Sequence, residues 1–173
     1  MSADEDRIRR FEEAVLPHLD SAHNLARWLT RNDADAGDVV QEACVRALRH
    51  FDGLRGDAKP WFLAVVRNTA LTWISRRTGE SAFDEGQTGL VEGTDAPSDS
   101  ELLRSDERAT LQHALETLPA EFREAIILRE LEGMAYKEIS AALGVPIGTV
   151  MSRLSRGRRL LLGHLGGKSG GAS

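Results

Sequence analysis

Cysteine, aromatic residues and long apolar runs are scarce in this chain of 173 residues. The single cysteine, Cys44, excludes an internal disulfide. Aromatic residues make up 5%, and β-branched runs flanked by turns are missing, so the composition favours helices. The longest apolar run of the C-terminal half, Ala125–Leu128, is far shorter than the ~20 residues of a membrane span. Residues 1–6 are acidic and lack the features of a secretory signal, so we expect a soluble, cytoplasmic protein.

Acidic residues are absent from residues 145–173, which carry five basic residues. A second basic segment, residues 54–77, has five bases against the single acid Asp57. Residues 78–110, by contrast, contain nine acids and two bases. The net charge of −5 therefore conceals two basic segments on either side of an acidic one. Local patches matter more than net charge for binding nucleic acids, so the pattern is compatible with a nucleic-acid-binding protein.

The spacing of apolar residues predicts three helices in the first half of the chain. The first runs from about Asp6 to Thr30. Asp35 is expected to cap the second helix, which reaches about Phe51. A loop over residues 52–59 leads to a third helix that starts near Pro60 and ends near Arg77. Together they form the first predicted domain, residues 1–77.

The second half begins with a segment that has few large apolar residues. Residues 78–97 are rich in Gly, Ser, Thr and acids, and we predict a flexible acidic linker there. The second predicted domain, residues 98–165, contains four helices, with bounds near 98–117, 120–131, 136–143 and 146–165. Residues 166–173 are predicted to be a disordered tail.

The segment Tyr136–Leu161 carries the most specific pattern in the chain. A short helix, a turn at Gly144 and a longer basic helix predict a helix-turn-helix. On a helical wheel the last helix has an inward side, made of Ile147, Val150, Leu154 and Leu161. Its other side suits base and phosphate contacts in a major groove and comprises Thr149, Ser152, Arg153, Arg156 and Arg159. The alternative is a solvated basic face on an ordinary bundle helix.

Two blocks of the sequence resemble the extracytoplasmic-function sigma factors of the sigma-70 family. Leu118–Leu161 is similar to region 4, with the motifs Tyr136-Lys137-Glu138-Ile139, Leu143-Gly144-Val145-Pro146, Gly148-Thr149-Val150 and Ser152-Arg153-Leu154. Asp38-Val39-Val40-Gln41-Glu42-Ala43 resembles region 2.2. Phe51–Arg77 resembles regions 2.3 and 2.4, with Arg55-Gly56-Asp57, Trp61 and Arg67-Asn68. The resemblance implies an all-α fold of two small helical domains, a three-helix region 2 and a helix-turn-helix region 4, joined by the linker.

The second helix has an apolar stripe on one side and a polar face on the other. We expect the stripe to point inward, and it comprises Ala36, Val40, Ala43, Ala47 and Phe51. The resemblance implies that the opposite face binds the clamp helices of the largest subunit of core RNA polymerase, through Asp38, Gln41, Glu42 and Val45. Without the resemblance, an exposed helix with one stray valine is the simpler interpretation.

The loop and third helix are where the resemblance implies −10 recognition and strand opening. The residues implied are Leu54, Arg55, Gly56, Asp57, Arg67 and Asn68. Loop residues of this kind suit a pocket for a flipped base. The helix is expected to pack inward through Phe62, Val65, Val66, Thr69 and Trp73. We interpret Trp61 and Trp73 as core residues.

The resemblance as a whole implies a sigma factor that binds core RNA polymerase and directs promoter-specific initiation at −10 and −35 elements. It implies promoter DNA and an anti-sigma factor as further partners, with no catalytic activity and no cofactor. The five histidines and Cys44 have no metal-ligand spacing, so no metal site is predicted. Two alternatives are a helix-turn-helix regulator that acts without polymerase and a partner-switching protein that only mimics a sigma factor.

Three positions depart from the family pattern. Met151 stands where a basic residue is common, and Ala135 where a hydroxyl usually caps the short helix. Gly157 lies inside the recognition helix, where glycine costs roughly 1 kcal/mol relative to alanine.

Cys44 is predicted to be a small core residue on the inward side of its helix.

Overall fold

The computed structural model describes residues 2–54, 56–78 and 102–169, with side chains over 2–54, 56–77 and 106–166. Every regular element in these ranges is helical, which confirms the predicted all-α fold. The helices form two compact units, one built from the first four helices and one mainly from the last four. Residues 79–97 of the predicted linker lie outside the described ranges, so the domain boundaries stay predictions. None of the described helices is both long and apolar enough to cross a membrane.

Four helices make up the first unit: α1 Ala3–Val15, α2 Leu19–Thr30, α3 Asp33–Arg49 and α4 Ala58–Thr78. The prediction of one helix from Asp6 to Thr30 is wrong, because Pro17 interrupts it within a 3-10 turn, Leu16–His18. Proline lacks an amide hydrogen and clashes with the preceding helical turn, so the α-helix ends and restarts. Helices α2, α3 and α4 pack against one another in pairs, and α1 contacts α4.

The residue that caps α3 lies three positions before the predicted cap, Asp35. The side-chain oxygen of Asn32 accepts a hydrogen bond from the Asp35 amide at 3.0 Å, so Asn32 and not Asp35 is the cap. Asp35 lies inside the first turn, where its carboxylate accepts a hydrogen bond from Arg77 at the end of α4. The sequence prediction was wrong because asparagine and aspartate are both good caps, and only the chain path decides between them.

The inner face of α3 is made of small residues. Ala36, Val39, Ala43 and Ala47 are fully buried, while Val40, predicted to point inward, is half-buried. Three alanines on one face bring the α3 backbone close to α2 and α4, both of which it contacts. Cys44 lies at the edge of this face and is only half-buried, and burial raises the pKa of its thiol.

Helix α4 is buried along most of one side. Phe62, Val66 and Thr69 are fully buried as predicted, and the Thr69 hydroxyl donates to the Val65 carbonyl at 2.7 Å. The tryptophans are less enclosed than predicted, because Trp61 and Trp73 are both half-buried.

An aromatic chain joins α1 to the start of α4. The Phe11 ring meets the Phe51 ring edge-on, with centroids 5.6 Å apart, and Phe51 lies 6.3 Å from the Trp61 ring. Phe51 begins a 3-10 turn, Phe51–Gly53, that connects α3 to the following loop. Ring pairs at these distances contribute about 0.5–1.5 kcal/mol each beyond their buried area.

Arg7 of α1 reinforces the same connection. Its Nε atom donates to the Asp52 carboxylate at 2.9 Å, within the 3-10 turn. Its guanidinium also donates to the carbonyls of Leu48 and Arg49 in the last turn of α3. The last carbonyls of an α-helix lack the usual i+4 amide partner, and a cation at a helix C-terminus is favourable. Arg7 therefore fixes the exit of α3 and the turn before the loop.

The second unit begins with α5 Leu102–Thr117, α6 Ala120–Ile126 and a wider π-helical turn, Ile127–Leu131. The helix-turn-helix follows as α7 Tyr136–Leu143 and α8 Ile147–Ser169. Helix α7 has its predicted bounds, whereas α8 continues four residues past its predicted end at Leu165. Residues 166–169 of the predicted tail belong to α8, because glycine weakens a helix without ending it as proline does, and the tail itself stays a prediction.

The turn before α7 is held by two charged side chains. The Arg129 guanidinium donates to the Met134 carbonyl at 2.9 Å and stacks 4.7 Å above the Tyr136 ring. The Glu138 carboxylate accepts a hydrogen bond from the Ala135 amide at 2.8 Å. Glu138 thus satisfies the amide of Ala135 at the helix start, which is the half of a capping box that does not need a hydroxyl at position 135.

The turn between α7 and α8 depends on Gly144. Its φ of 68° lies in the left-handed region, which a side chain disfavours. The Val145 amide bonds back to the Ser140 carbonyl at 3.2 Å, and the Ser140 hydroxyl donates to the Val145 carbonyl. These bonds set the angle at which α8 leaves α7.

Gly157 lets α8 pack closely on α6. It is buried, and a Cβ atom there would lie 2.6 Å from Ile126 Cδ1 and 3.3 Å from Phe122 Cβ. Both distances are shorter than carbon–carbon van der Waals contact. The glycine that departs from the family pattern is therefore a packing residue, not only a cost to the helix.

Replacing Gly157 with alanine is expected to lower the free energy of unfolding by about 1 kcal/mol. Overpacking costs ~1–3 kcal/mol, and the better helix propensity of alanine offsets at most about 1 kcal/mol. Gly163→Ala is the matched control, because Gly163 is exposed on the same helix with nothing within 4 Å of a new Cβ. It is expected to be neutral or stabilising in thermal and urea unfolding. Equal behaviour of the two variants would contradict the packing role.

Replacing Arg7 with alanine is expected to cost about 1–2 kcal/mol, since hydrogen bonds to a charged group are lost. Faster amide exchange over residues 48–54 should accompany the loss. Arg9→Ala is the control, because the one ion pair of Arg9 among the described residues is an exposed pair with Asp6 of its own helix. Amide exchange measured by mass spectrometry distinguishes the two. If both variants change it equally, Arg7 does not hold the turn.

Candidate polymerase and nucleic-acid interfaces

The outer face of α3 has the predicted arrangement of a docking surface. Asp38 and Gln41 are exposed, and Val45 keeps 51% of its surface accessible. Glu42 is half-buried and pairs with Arg46 at 3.0 Å in the same helix. The four predicted contact residues follow an i, i+3, i+4, i+7 spacing, which places them on one side of a helix. This side is opposite to the alanine face that packs inward.

The loop between α3 and α4 is only partly described. Leu54 is half-buried, Asp57 is exposed and Gly56 has φ 82°, while Arg55 lies outside the described residues. On α4, Asn68 is exposed and Arg67 is half-buried, with Arg67 Nη1 3.4 Å from Asn68 Oδ1. These two residues come nine and ten positions after the start of α4 at Ala58, or about 14 Å along the helix axis. The predicted −10 residues therefore form two groups, one in the loop and one on α4, and not a single cluster.

The outward face of α8 is rotated relative to the prediction. Its buried arc is centred on Val150, Leu154 and Gly157. Ile147, predicted to point inward, lies at the edge of this arc and is 43% exposed, which corrects the prediction. The exposed side opposite the arc contains Ser152, Ser155, Arg156 and Arg159. Met151 is exposed at one edge of this side, and Thr149 and Arg153 are half-buried at the other edge.

The arginines of α8 differ in their partners. Arg153 Nη2 lies 3.5 Å from the Glu121 carboxylate of α6. Arg158, which was not a predicted contact, binds Glu130 at 2.6 Å, and this hydrogen bond raises the pKa of its guanidinium. Within the described part of the chain, Arg156 and Arg159 have no ion-pair partner. Their charges are therefore the most available for an anion such as a DNA phosphate.

Comparison with protein families matches both halves of the chain. Residues 14–80 match sigma-70 region 2, and residues 108–161 match sigma-70 region 4. A sigma factor SigE of the extracytoplasmic-function (ECF) type from Mycolicibacterium smegmatis is 36% identical over 95% of this chain, which spans 65% of that relative's length. The ECF sigma-E factor of Escherichia coli K12 is 35% identical, covering 80% of this chain and 79% of its own. This chain belongs to the ECF group of the sigma-70 family.

A solved structure agrees with this assignment. The sigma factor RpoE from Bartonella quintana, crystallised with the anti-sigma factor NepR, has 27% sequence identity and a TM-score of 0.74. The match covers 91% of this chain and 97% of that one. The sequence resemblance to ECF sigma factors is thereby confirmed, as is the order of regions 2 and 4 along the chain.

The structure of this sigma factor adds residues that sequence reasoning missed. Met151 and Ser155 lie on the exposed face of α8, and Arg7 lies before the region 2 match begins at residue 14. For Met151 and Ser155, the sequence signal that could have found them was Gly157. A small residue within an apolar stripe marks the closest approach of a partner helix, so the opposite side of the helix is the exposed one. No pattern in the sequence indicated the role of Arg7, because its partners are 41 to 45 positions away.

Proposed function

We propose that this ECF sigma factor binds core RNA polymerase and directs it to promoters through two DNA-contacting regions. The observation that carries the proposal is the presence in one chain of two outward faces of different chemistry. Helix α3 presents acids and an amide around an exposed valine. Helix α8 presents serines beside Arg156 and Arg159, which have no ion-pair partner among the described residues. A DNA-binding regulator that acts without polymerase requires only the second of these faces.

The α3 face is suited to a protein partner. Interfaces combine an apolar centre with polar groups around it, and Val45 at 51% exposure supplies that centre. We assign Asp38, Gln41, Glu42 and Val45 to the clamp helices of the polymerase's largest subunit. Glu42 already pairs with Arg46, so Asp38 and Gln41 carry most of the polar contact in this proposal.

The α8 face is suited to the major groove of a −35 element. Arginine binds guanine edges and phosphates, and serine binds either. The proposed contacts are Thr149, Ser152, Arg153, Arg156 and Arg159. Of these, Arg156 and Arg159 rank first because Glu121 already engages Arg153. Thr149 ranks last because it is half-buried.

Strand opening and −10 recognition are assigned to the loop and to α4. The proposed residues are Leu54, Arg55, Gly56, Asp57, Arg67 and Asn68. The separation of about 14 Å along α4 spans several nucleotides of a single strand, so the loop and the Arg67–Asn68 pair would contact different bases. Among the described residues, no heavy atom beyond Gly56 and its chain neighbours lies within 4 Å of where a Cβ of Gly56 would be, so this position has open space for an extruded base.

Two further assignments follow from this function. An anti-sigma factor is a proposed partner, as for the Bartonella relative crystallised with one. The protein has no proposed catalytic step of its own and acts in the cell interior, where polymerase and chromosome are located.

Transcription in vitro with core polymerase and a library of promoters tests the proposal. Promoter-specific transcripts that appear only with this protein are the expected result, and binding to duplex DNA without any effect on polymerase would support the stand-alone regulator.

The double variant Asp38→Lys with Gln41→Ala is expected to bind core polymerase roughly tenfold or more weakly, because a reversed charge meets the partner's complementary surface. Helix content and thermal unfolding should stay close to those of the native protein, since both side chains are exposed. Glu13→Lys with Gln112→Ala is the control for charge and amide loss elsewhere on the surface. Binding is measured with labelled core enzyme. Native affinity in the double variant would remove the α3 assignment.

Arg156→Ala is expected to reduce transcription from −35-dependent promoters more than Arg153→Ala does. A bidentate arginine–base contact discriminates by ~1–3 kcal/mol, whereas Arg153 first has to leave Glu121. Arg158→Ala serves as the control on the same helix, because Arg158 is held by Glu130. Transcription on templates with and without a −35 element separates the variants. If Arg156→Ala keeps full −35 dependence, the DNA-facing side of α8 is misassigned.

A further inference from the structure

The first two turns of α8 present an apolar tip. No charged residue occurs between Pro146 and Ser152, and two large apolar side chains there are exposed, Ile147 at 43% and Met151 at 52%. They are four positions apart, so they lie side by side on the helix surface. An exposed apolar pair of this size on a helix otherwise suited to DNA calls for a ligand with an apolar group.

The surroundings of Met151 make its side chain protrude. Its exposed helix neighbours at i−3, i+1 and i+4 are Gly148, Ser152 and Ser155, all of them small. The Ser152 hydroxyl lies 3.4 Å from the Thr149 carbonyl of its own helix, to which it donates. The polar groups at the tip are therefore short and partly satisfied within the helix, and the thioether extends farthest from the helix axis.

The major groove offers one apolar group to such a tip. Base edges there carry donors, acceptors and the 5-methyl group of thymine. The N-terminal residues of a recognition helix are the ones that approach base edges. Arg159 follows about two turns later, roughly 80° around the helix from Met151, and its exposed charge favours a polyanion over an apolar protein surface.

We infer that Ile147 and Met151 are specificity-determining residues that select thymine in the −35 element through its 5-methyl group. This inference rests on the proposed function and adds to it the base and the chemical group that α8 recognises. The flexible thioether adapts to the methyl position, and the shorter Ile147 completes the apolar contact. Where a basic residue is common in the family and would contact a phosphate, Met151 of this chain then contacts a base instead.

The test removes single methyl groups from the DNA. Holoenzyme first selects its preferred −35 sequence from a randomised duplex library, and each thymine of that sequence is then replaced by uracil, which lacks only the methyl. Native holoenzyme should lose roughly fourfold in affinity at one or two positions, the factor for burying about one methyl group. Ile147→Ala and Met151→Ala should bind thymine and uracil duplexes equally at those positions.

Leu162→Ala is the matched control, because Leu162 is an apolar side chain on the same helix, 67% exposed and beyond the tip. It should keep the native methyl dependence. If holoenzyme selects a −35 sequence but uracil has no effect at any position, the inference is overturned and the proposed function stands. Failure to select any −35 sequence would overturn both. If the tip variants keep methyl dependence but bind core polymerase more weakly, the tip docks protein and the inference is wrong.

Discussion

Close packing on one side of a helix decides which residues its other side can offer, and both helices that carry a proposed interface in this sigma factor depend on that constraint. Helix α3 buries three alanines and Val39, which leaves Asp38, Gln41 and Val45 facing outward. Helix α8 buries Val150, Leu154 and Gly157, and its exposed face follows from that choice. Small residues are effective here because they bring helix backbones together without a bulky side chain that could tilt the helix. The proposed interfaces are thus consequences of the core.

Charge acts at a second level, after packing has set the faces. Region 4 carries several arginines, but two of those on α8 are engaged by acids of the preceding helix segment, through Glu121 and Glu130. These pairs lie on the flanks, where exposed ion pairs contribute little stability but hold long side chains in place. The arginines on the exposed face keep their charge for an external anion. A net charge of −5 is therefore compatible with DNA binding, because the acids and bases are sorted by position.

Region 2 shows how a segment before the family match supports the proposed −10 site. Arg7 binds the last carbonyls of α3 and Asp52, and Phe11 packs on Phe51. Both contacts end on the turn that leads to the loop. A loop that has to hold a flipped base benefits from a fixed starting point, because ordering it at binding costs conformational entropy. Helix α1 supplies this anchor although residues 3–13 lie outside the region 2 match.

The sequence by itself determined the helical fold, the order of regions 2 and 4 and the bounds of α7, because apolar periodicity and the Gly144 turn are local signals. It also placed the residues of the proposed α3 docking face on one side of a helix. Only the tertiary structure decided the cap at Asn32 and the exposed positions of Ile147 and Met151. A helical wheel gives the direction of each side chain but not the position of the partner helix. The contact at Gly157 sets that position, and it requires α6 and α8 to meet in three dimensions.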